Sequence, residues 1–274
     1  MLLRGEVVRL AGAGAQFVGG DRAAVVTNET PDASLLAASP DGPRTLPLEV
    51  RGVHVTMGLA SLEGKLEEYV DLEREGLTTI ELDIKEENGR IGFRRGAPAL
   101  AKAVGAAQSF YEASRAARLV HSRGLYLVGR IVVFEDPMLS SARPDLAVRR
   151  TDGSVWRDAA GLGWANPYDR RVWKYNADLA VAAAKAGFDE ILFDYVRRPD
   201  GAFNGMTVPG LAGDPAVAVA NFVRASKQAL VGTNATLGAS VFGISATRPE
   251  QIAQDIRLLI PSLDYLAPMV YPSL

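Results

Sequence analysis

FDEILFDYV, residues 188–196, followed by Arg197, Arg198 and Pro199, reads as a short buried strand that delivers a carboxylate, Asp194, to its C-terminal end. A carboxylate is costly to bury without a partner. One that closes an apolar strand beside an aromatic and two arginines therefore has a physical reason to be there. In parallel α/β barrels the strand C-termini form the catalytic face. Either Asp194 belongs to such a face, or it is the structural ion partner of Arg197 or Arg198.

Working outward from this strand, the chain from about residue 50 alternates strands with helices. Strands are predicted over Val50–Met57, Thr79–Ile84, Leu125–Phe134, 188–196, Leu237–Phe242 and Tyr265–Tyr271. A hairpin through Asn88 and Gly89 into Ile91–Phe93 follows the second strand. Helical spacing predicts helices over Leu62–Glu75, Val104–Arg123 and Asp169–Ala186. Asp214 before Pro215 starts a fourth helix, and Thr247 with Glu250 forms a capping box for a fifth. Serial βα units without a glycine fingerprint after the first strand favour a barrel over a doubly wound sheet. Closure as a (β/α)8 TIM-type barrel needs two more units, so the expectation is a barrel truncated after strand six.

Residues 1–48 differ in texture. Short apolar pieces (Glu6–Leu10, Ala15–Val18, Ala23–Thr27, Leu46–Val50) alternate with Gly, Asp and Pro clusters, which predicts a small β-rich appendage or partial sandwich ahead of a barrel over 49–274. A formal net charge of -2 provides no basic field, so nucleic acid is not expected as a partner. The absence of cysteine excludes a disulfide, a thiolate nucleophile and a zinc-ribbon site. His54 and His121 are in no metal-ligand spacing, and neither a metal nor another cofactor is expected. No apolar run reaches the ~20 residues needed to span a bilayer, and the first residues lack a signal-peptide pattern.

Alternation tells which side chains face the barrel axis, because outward residues must be apolar under the helices. Ile80, Leu82 and Ile84 are outward in strand two, so Glu81, Asp83 and Lys85 point inward. The same rule turns His54 and Thr56, Arg130 and Asp136, Leu192 and Asp194, and Met269 and Tyr271 to the axis. Several polar side chains from different strands in a space usually filled by branched apolar residues look like a site. Long segments after strand three (135–167) and strand four (197–213) lie on the same end. Trp156 and Trp164 in the first of these form either a stacking platform for sugar rings or a small local core.

The blocks RGVHVTMG, IELDIKEENGRIGF, GRIVVFEDPMLSSARPDLAV, FDEILFDYVRRP and APMVYPS, in this order over about residues 51–274, resemble a bacterial family of glycoside-hydrolase-like domains distantly allied to α-amylase-type barrels. The resemblance implies a (β/α)8 barrel, a carbohydrate-directed activity, and a secreted or cell-envelope setting. It also implies that Asp194 matches the strand-four aspartate that serves as nucleophile in α-amylase-type barrels. Those barrels carry the acid, a glutamate, after strand five, whereas Leu237–Ser245 contains no carboxylate. Residues 187–195 also look like the strand-four signature of chitinase-type barrels, but Leu192 and Val196 stand where an aspartate and the catalytic glutamate would be.

The expectation is a glycoside hydrolase with paired carboxylates, acting on a polysaccharide or cell-envelope glycan. Asp194 is nucleophile or base. Asp83, Asp136 and Glu135 are the acid candidates, in falling order. Arg130 and Arg197 would hold Asp194 ionised, and His54, Lys85, Trp156, Trp164, Tyr195 and Tyr271 complete the substrate-binding set. A non-catalytic carbohydrate-binding barrel is the alternative, motivated by the missing strand-five acid. A barrel acting on phosphorylated metabolites would need a phosphate site after strands seven and eight.

Overall fold

The structure, a computed structural model, describes residues 3–4, 8–9, 44–200 and 205–269. Six strands pair in parallel and in chain order: β1 (Arg51–Val55), β2 (Thr79–Lys85), β3 (Tyr126–Val132), β4 (Glu190–Asp194), β5 (Thr236–Phe242) and β6 (Tyr265–Met269). The order never reverses, so there is no topological switch point, and the sheet is of the (β/α)-barrel type. Two-residue pieces, Leu3–Arg4 and Val8–Arg9, add antiparallel to β1 and β6 at the outer edges. Only residues 5–7 separate these pieces, which brings the two edges near each other and requires the sheet to curl.

Crossover helices α1 (Lys65–Val70), α2 (Ala113–Ser122), α3 (Arg170–Ala186), α4 (Pro215–Ala229) and α5 (Ile256–Leu259) follow β1, β2, β3, β4 and β5 in turn. Outward strand residues are sealed beneath them: Ile80, Leu82, Ile84, Ile191, Phe193 and Leu237 are fully buried. Phe193 stacks on Phe222 of α4 with ring centroids 5.2 Å apart, and Val172, Leu179 and Ala183 present one buried face of α3. Asp169 caps α3 by accepting a hydrogen bond from the Arg171 amide, and Gly187 ends it at φ 109°. Asp214 caps α4 ahead of Pro215, as its sequence predicts. No helix among the described residues is long and apolar enough to cross a membrane.

Three local expectations are corrected. The second predicted helix, Val104–Arg123, is helical only over Ala113–Ser122: a separate short helix, Ala99–Ala103, precedes it and ends before Gly105 (φ 74°), an extended stretch bridges to Ile91, and α2 starts under an Arg115 amide-to-Glu112 cap. Thr247 is not the N-cap of α5; Asp255 takes that role by accepting from the Arg257 amide. Leu46–Val50 is not a strand. Leu46 instead packs against the buried cluster of Tyr126, Val128 and Leu192, as Tyr265 and Ala267 do. The other pieces expected in the appendage fall largely or wholly outside the described residues.

The floor of the curl is held by a polar cluster. Tyr265 from β6 reaches across β5 and donates to the Glu190 carboxyl on β4, while Tyr126 bonds Thr236 at 3.1 Å and Glu190 at 3.4 Å. Burial, partly offset by these hydroxyl donors, pushes the Glu190 carboxyl up to about 8. The crossing is possible only because residue 238 is glycine; a Cβ there would overlap the Tyr265 ring. Gly238→Ala is therefore expected to destabilise the fold by about 1–3 kcal/mol in urea unfolding, the range typical of overpacking. An unchanged midpoint would show that Tyr265 does not need this path.

Candidate active site

At the C-terminal ends of the strands, successive inward side chains come from neighbouring strands: His54 on β1, Asp83 on β2, Arg130 on β3 and Asp194 on β4. Arg130 is their centre. Its Nε and Nη2 donate to Asp194 Oδ2 at 3.0 and 2.8 Å, and its Nη1 donates to Asp83 Oδ1 at 3.0 Å. Nη2 also pairs with the half-exposed Glu87 carboxylate. Burial opposes the guanidinium charge, but Asp194, Asp83 and Glu87 outweigh it and hold Arg130 firmly protonated. The second Asp194 oxygen, Oδ1, accepts from the Tyr195 amide at 2.8 Å. Tyr195 lies at φ 49°, a left-handed conformation that a tyrosine adopts only at a cost.

His54 Nε2 lies 2.9 Å from Asp83 Oδ1. Burial disfavours its cationic form, yet the hydrogen bond and charge of Asp83, with Glu81 behind, raise its pKa above the ordinary histidine value. Glu135, three residues past the end of β3, is in the opposite situation to Asp194. Among the described residues no group donates a hydrogen bond to its carboxyl. Burial first, then the charges of Asp158, Glu87 and Asp194 against the lowering effect of Arg197, pushes this carboxyl up to about 7. The face thus combines a carboxylate saturated with donors and a carboxylic acid without them.

Residues 52–274 match a family described as a putative glycosyl hydrolase domain. The chain belongs to this family. Among solved structures, a hypothetical protein from Ruminiclostridium thermocellum ATCC 27405 is 31% identical, with 68% of this chain and 96% of that one covered and a TM-score of 0.62. The PgaB (BpsB) glycoside hydrolase domain from Bordetella bronchiseptica is similar at 14% identity, 80% and 74% coverage and a TM-score of 0.59. The α-galactosidase TtGalA from Thermus thermophilus, in complex with stachyose, is similar at 16% identity and a TM-score of 0.51, covering 82% of this chain and 44% of that one. At such identities the last two likenesses are of fold alone. No curated protein matches the sequence.

Within this member of the family, the strand-end residues His54, Asp83, Arg130 and Asp194 meet, and Tyr195 and Glu135 adjoin them. Others go elsewhere. Lys85 does not face the axis, because the β2–β3 register shifts between Asp83 and Lys85 and this bulge returns Lys85 to the outer side. There its ammonium donates to Val133 O (3.1 Å), Asp136 Oδ2 (2.9 Å) and Asn176 Oδ1 (2.8 Å) beneath α3. Asp136 is likewise fully buried in that pair and caps Pro137–Ala142 through the Leu139 amide, so it is not presented to the cleft. Arg197 pairs with Asp200 rather than Asp194.

Trp164 is 2% exposed, donates to Asp158 and packs on Tyr195, which makes it part of a local core. Trp156 is half-buried against the same core. Tyr271 lies outside the described residues. Sequence reasoning passed over Glu87, whose only signal is its place in the polar turn Glu86–Gly89 directly after an inward aspartate.

Lys85 grips the carbonyl of Val133 and the carboxylate of Asp136, and so fixes the short segment that carries Glu135. Removing one partner of a buried ion pair typically costs about 3–5 kcal/mol. Lys85→Met is expected to lose stability in that range, and Lys85→Met/Asp136→Asn, which keeps the cap but removes the stranded charge, to recover much of it. Equal stability of the two variants in urea unfolding would contradict the pairing.

Proposed function

We propose that the chain hydrolyses glycosidic bonds of a polysaccharide or cell-envelope glycan, with Asp194 as nucleophile or base and Glu135 as general acid. The single observation that carries this reading is the contrast between the two carboxyl groups at the ends of adjacent strands. Three N–H groups converge on Asp194, as suits a group that must act as an anion. Glu135 is pushed up to about 7 by burial and neighbouring acids, as suits a group that must hold a proton until the leaving oxygen takes it. Carboxylates whose environments set them apart in this way are the chemical requirement for glycoside hydrolysis.

In this reading Asp83 and His54 are positioning residues. Asp83 orients Arg130 and His54, and Arg130 in turn aims one Asp194 oxygen. Because both oxygens of Asp194 already accept hydrogen bonds, a second reading, carbohydrate binding without turnover, has a specific basis. Glycan binding by the wild type without release of reducing ends, retained in Asp194→Asn, would favour it.

The hydrolytic reading makes linked predictions about pH. Glu135 must be protonated to act, so kcat/KM on an unactivated glycan should fall as pH rises through about 7. Glu135→Gln should lower that rate by about 10²–10⁴-fold while sparing glycosides whose leaving group needs no proton. The folded-state pKa of Glu135 lies above that of an unfolded glutamate, so its favourable contribution to stability is present at low pH and is lost as pH rises through about 7. Glu135→Gln should accordingly melt higher than the wild type at pH 8, and the two should converge near pH 4. A pH-independent difference in melting temperature, or an alkaline limb unchanged in Glu135→Gln, would remove Glu135 from the role.

A further inference from the structure

The ring of strand-end side chains continues past Asp194 with an aromatic. Leu237, Ala239 and Val241 of β5 are buried on the outer side, so Phe242 is the last inward residue of that strand. It is half-buried, at the position where the sequence lacks the expected carboxylate. The Arg197 guanidinium lies over its ring, 4.5 Å from the centroid, and also sits 5.2 Å from the Tyr195 ring and 5.1 Å from the Trp164 ring.

Arg197 is itself 3% exposed and tied to Asp200, so it serves as a rigid backing and not as a free cation. The backbone beneath is fastened by the buried Gln254. Its Oε1 accepts from the Phe242 amide at 2.9 Å and its Nε2 donates to Ser240 O at 3.1 Å and Val196 O at 3.4 Å. A flat apolar ring has thus been locked at the mouth of the curl, one strand from Asp194, with one face covered by a cation.

We propose that Phe242, backed by Arg197 and flanked by Tyr195, is the stacking surface of a sugar subsite and receives the C–H face of a pyranose ring. The inference rests on the carbohydrate reading of the cleft and goes beyond it by naming a specificity-determining residue. Aromatic rings suit this task because they offer a large, rigid apolar face at little conformational cost. The covered face explains the orientation: cation–π contact with Arg197 holds the ring in place while its other face meets the ligand. Trp156 and Trp164 are not needed for this role, and Trp164 has no exposed face to offer.

The test is isothermal titration calorimetry of wild type, Phe242→Trp and Phe242→Leu with maltohexaose, cellohexaose and chitohexaose, each protein also followed by thermal melting. Wild type and Phe242→Trp are expected to bind at least one of the three. Phe242→Leu, which keeps apolar volume but loses the flat face, should bind that sugar about tenfold more weakly or worse with its melting temperature retained. If Phe242→Leu melts early, Phe242→Met supplies the same comparison.

Equal affinity of Phe242→Leu and wild type, or no binding of any of the three by wild type, would overturn the inference. Asp194→Asn run alongside separates it from the hydrolytic reading. Sugar binding that depends on Phe242 but is never followed by cleavage sinks only the hydrolysis, whereas cleavage with an affinity indifferent to Phe242 sinks only the subsite.

Discussion

A single guanidinium, Arg130, lies among three carboxylates drawn from two strands and a turn, and the geometry of the cleft depends on it. Asp83, Glu87 and Asp194 could not be packed together at the strand ends without a cation, since like charges a few ångströms apart in a partly buried site repel strongly. Arginine suits the position because its planar fork serves several acceptors at once and it does not lose its proton when buried. Burial of this cluster does not by itself stabilise the fold, because desolvation offsets much of the attraction. What it supplies is register: the ends of β2, β3 and β4 cannot slide without leaving a charge unpaired.

The second constraint is on the other side of the sheet. The bulge in β2 sends Asp83 to the axis and Lys85 to the helix side, although the two residues are only two apart. One strand therefore anchors both the cleft, through Asp83, and the segment behind Glu135, through Lys85. Glu135, to which no group among the described residues donates a hydrogen bond, can then be held in place by the segment that carries it. An acid with an elevated pKa requires this kind of support, since burial and the neighbouring carboxylates outweigh Arg197, the cation that favours its charged form.

The barrel-type fold was legible in the sequence because its signals are local and repeated. Parallel strands buried on one side by helices leave apolar residues at alternate positions, and Asp169, Asp214 and Pro215 mark helix starts by chemistry that works within a single turn. The same alternation found His54, Asp83, Arg130 and Asp194. It failed at Lys85, where one extra residue inverts the pattern and no side chain announces the change. Asp136 failed with it, being read as a strand residue when it is a helix cap. Trp164 and Arg197 were beyond reach because their neighbours come from other segments of the chain. Phe242 looked like ordinary strand filler, since a flat ring used as a surface and one used as core have the same sequence signature. Relatives of known structure establish the barrel, and the chemistry of the cleft has to be argued from these side chains.

The proposed mechanism depends on Glu135, whose carboxyl is pushed up by burial first and then by the charges of Asp158, Glu87 and Asp194. Carbon-13 NMR titration of the glutamate carboxyls, with Glu135 assigned by comparison with Glu135→Gln, measures this directly. The account predicts that Glu135 titrates near 7, and that its pKa moves down in Asp194→Asn, where one neighbouring charge is gone. A Glu135 resonance titrating near the ordinary glutamate value of about 4.3, and unmoved by Asp194→Asn, would contradict it.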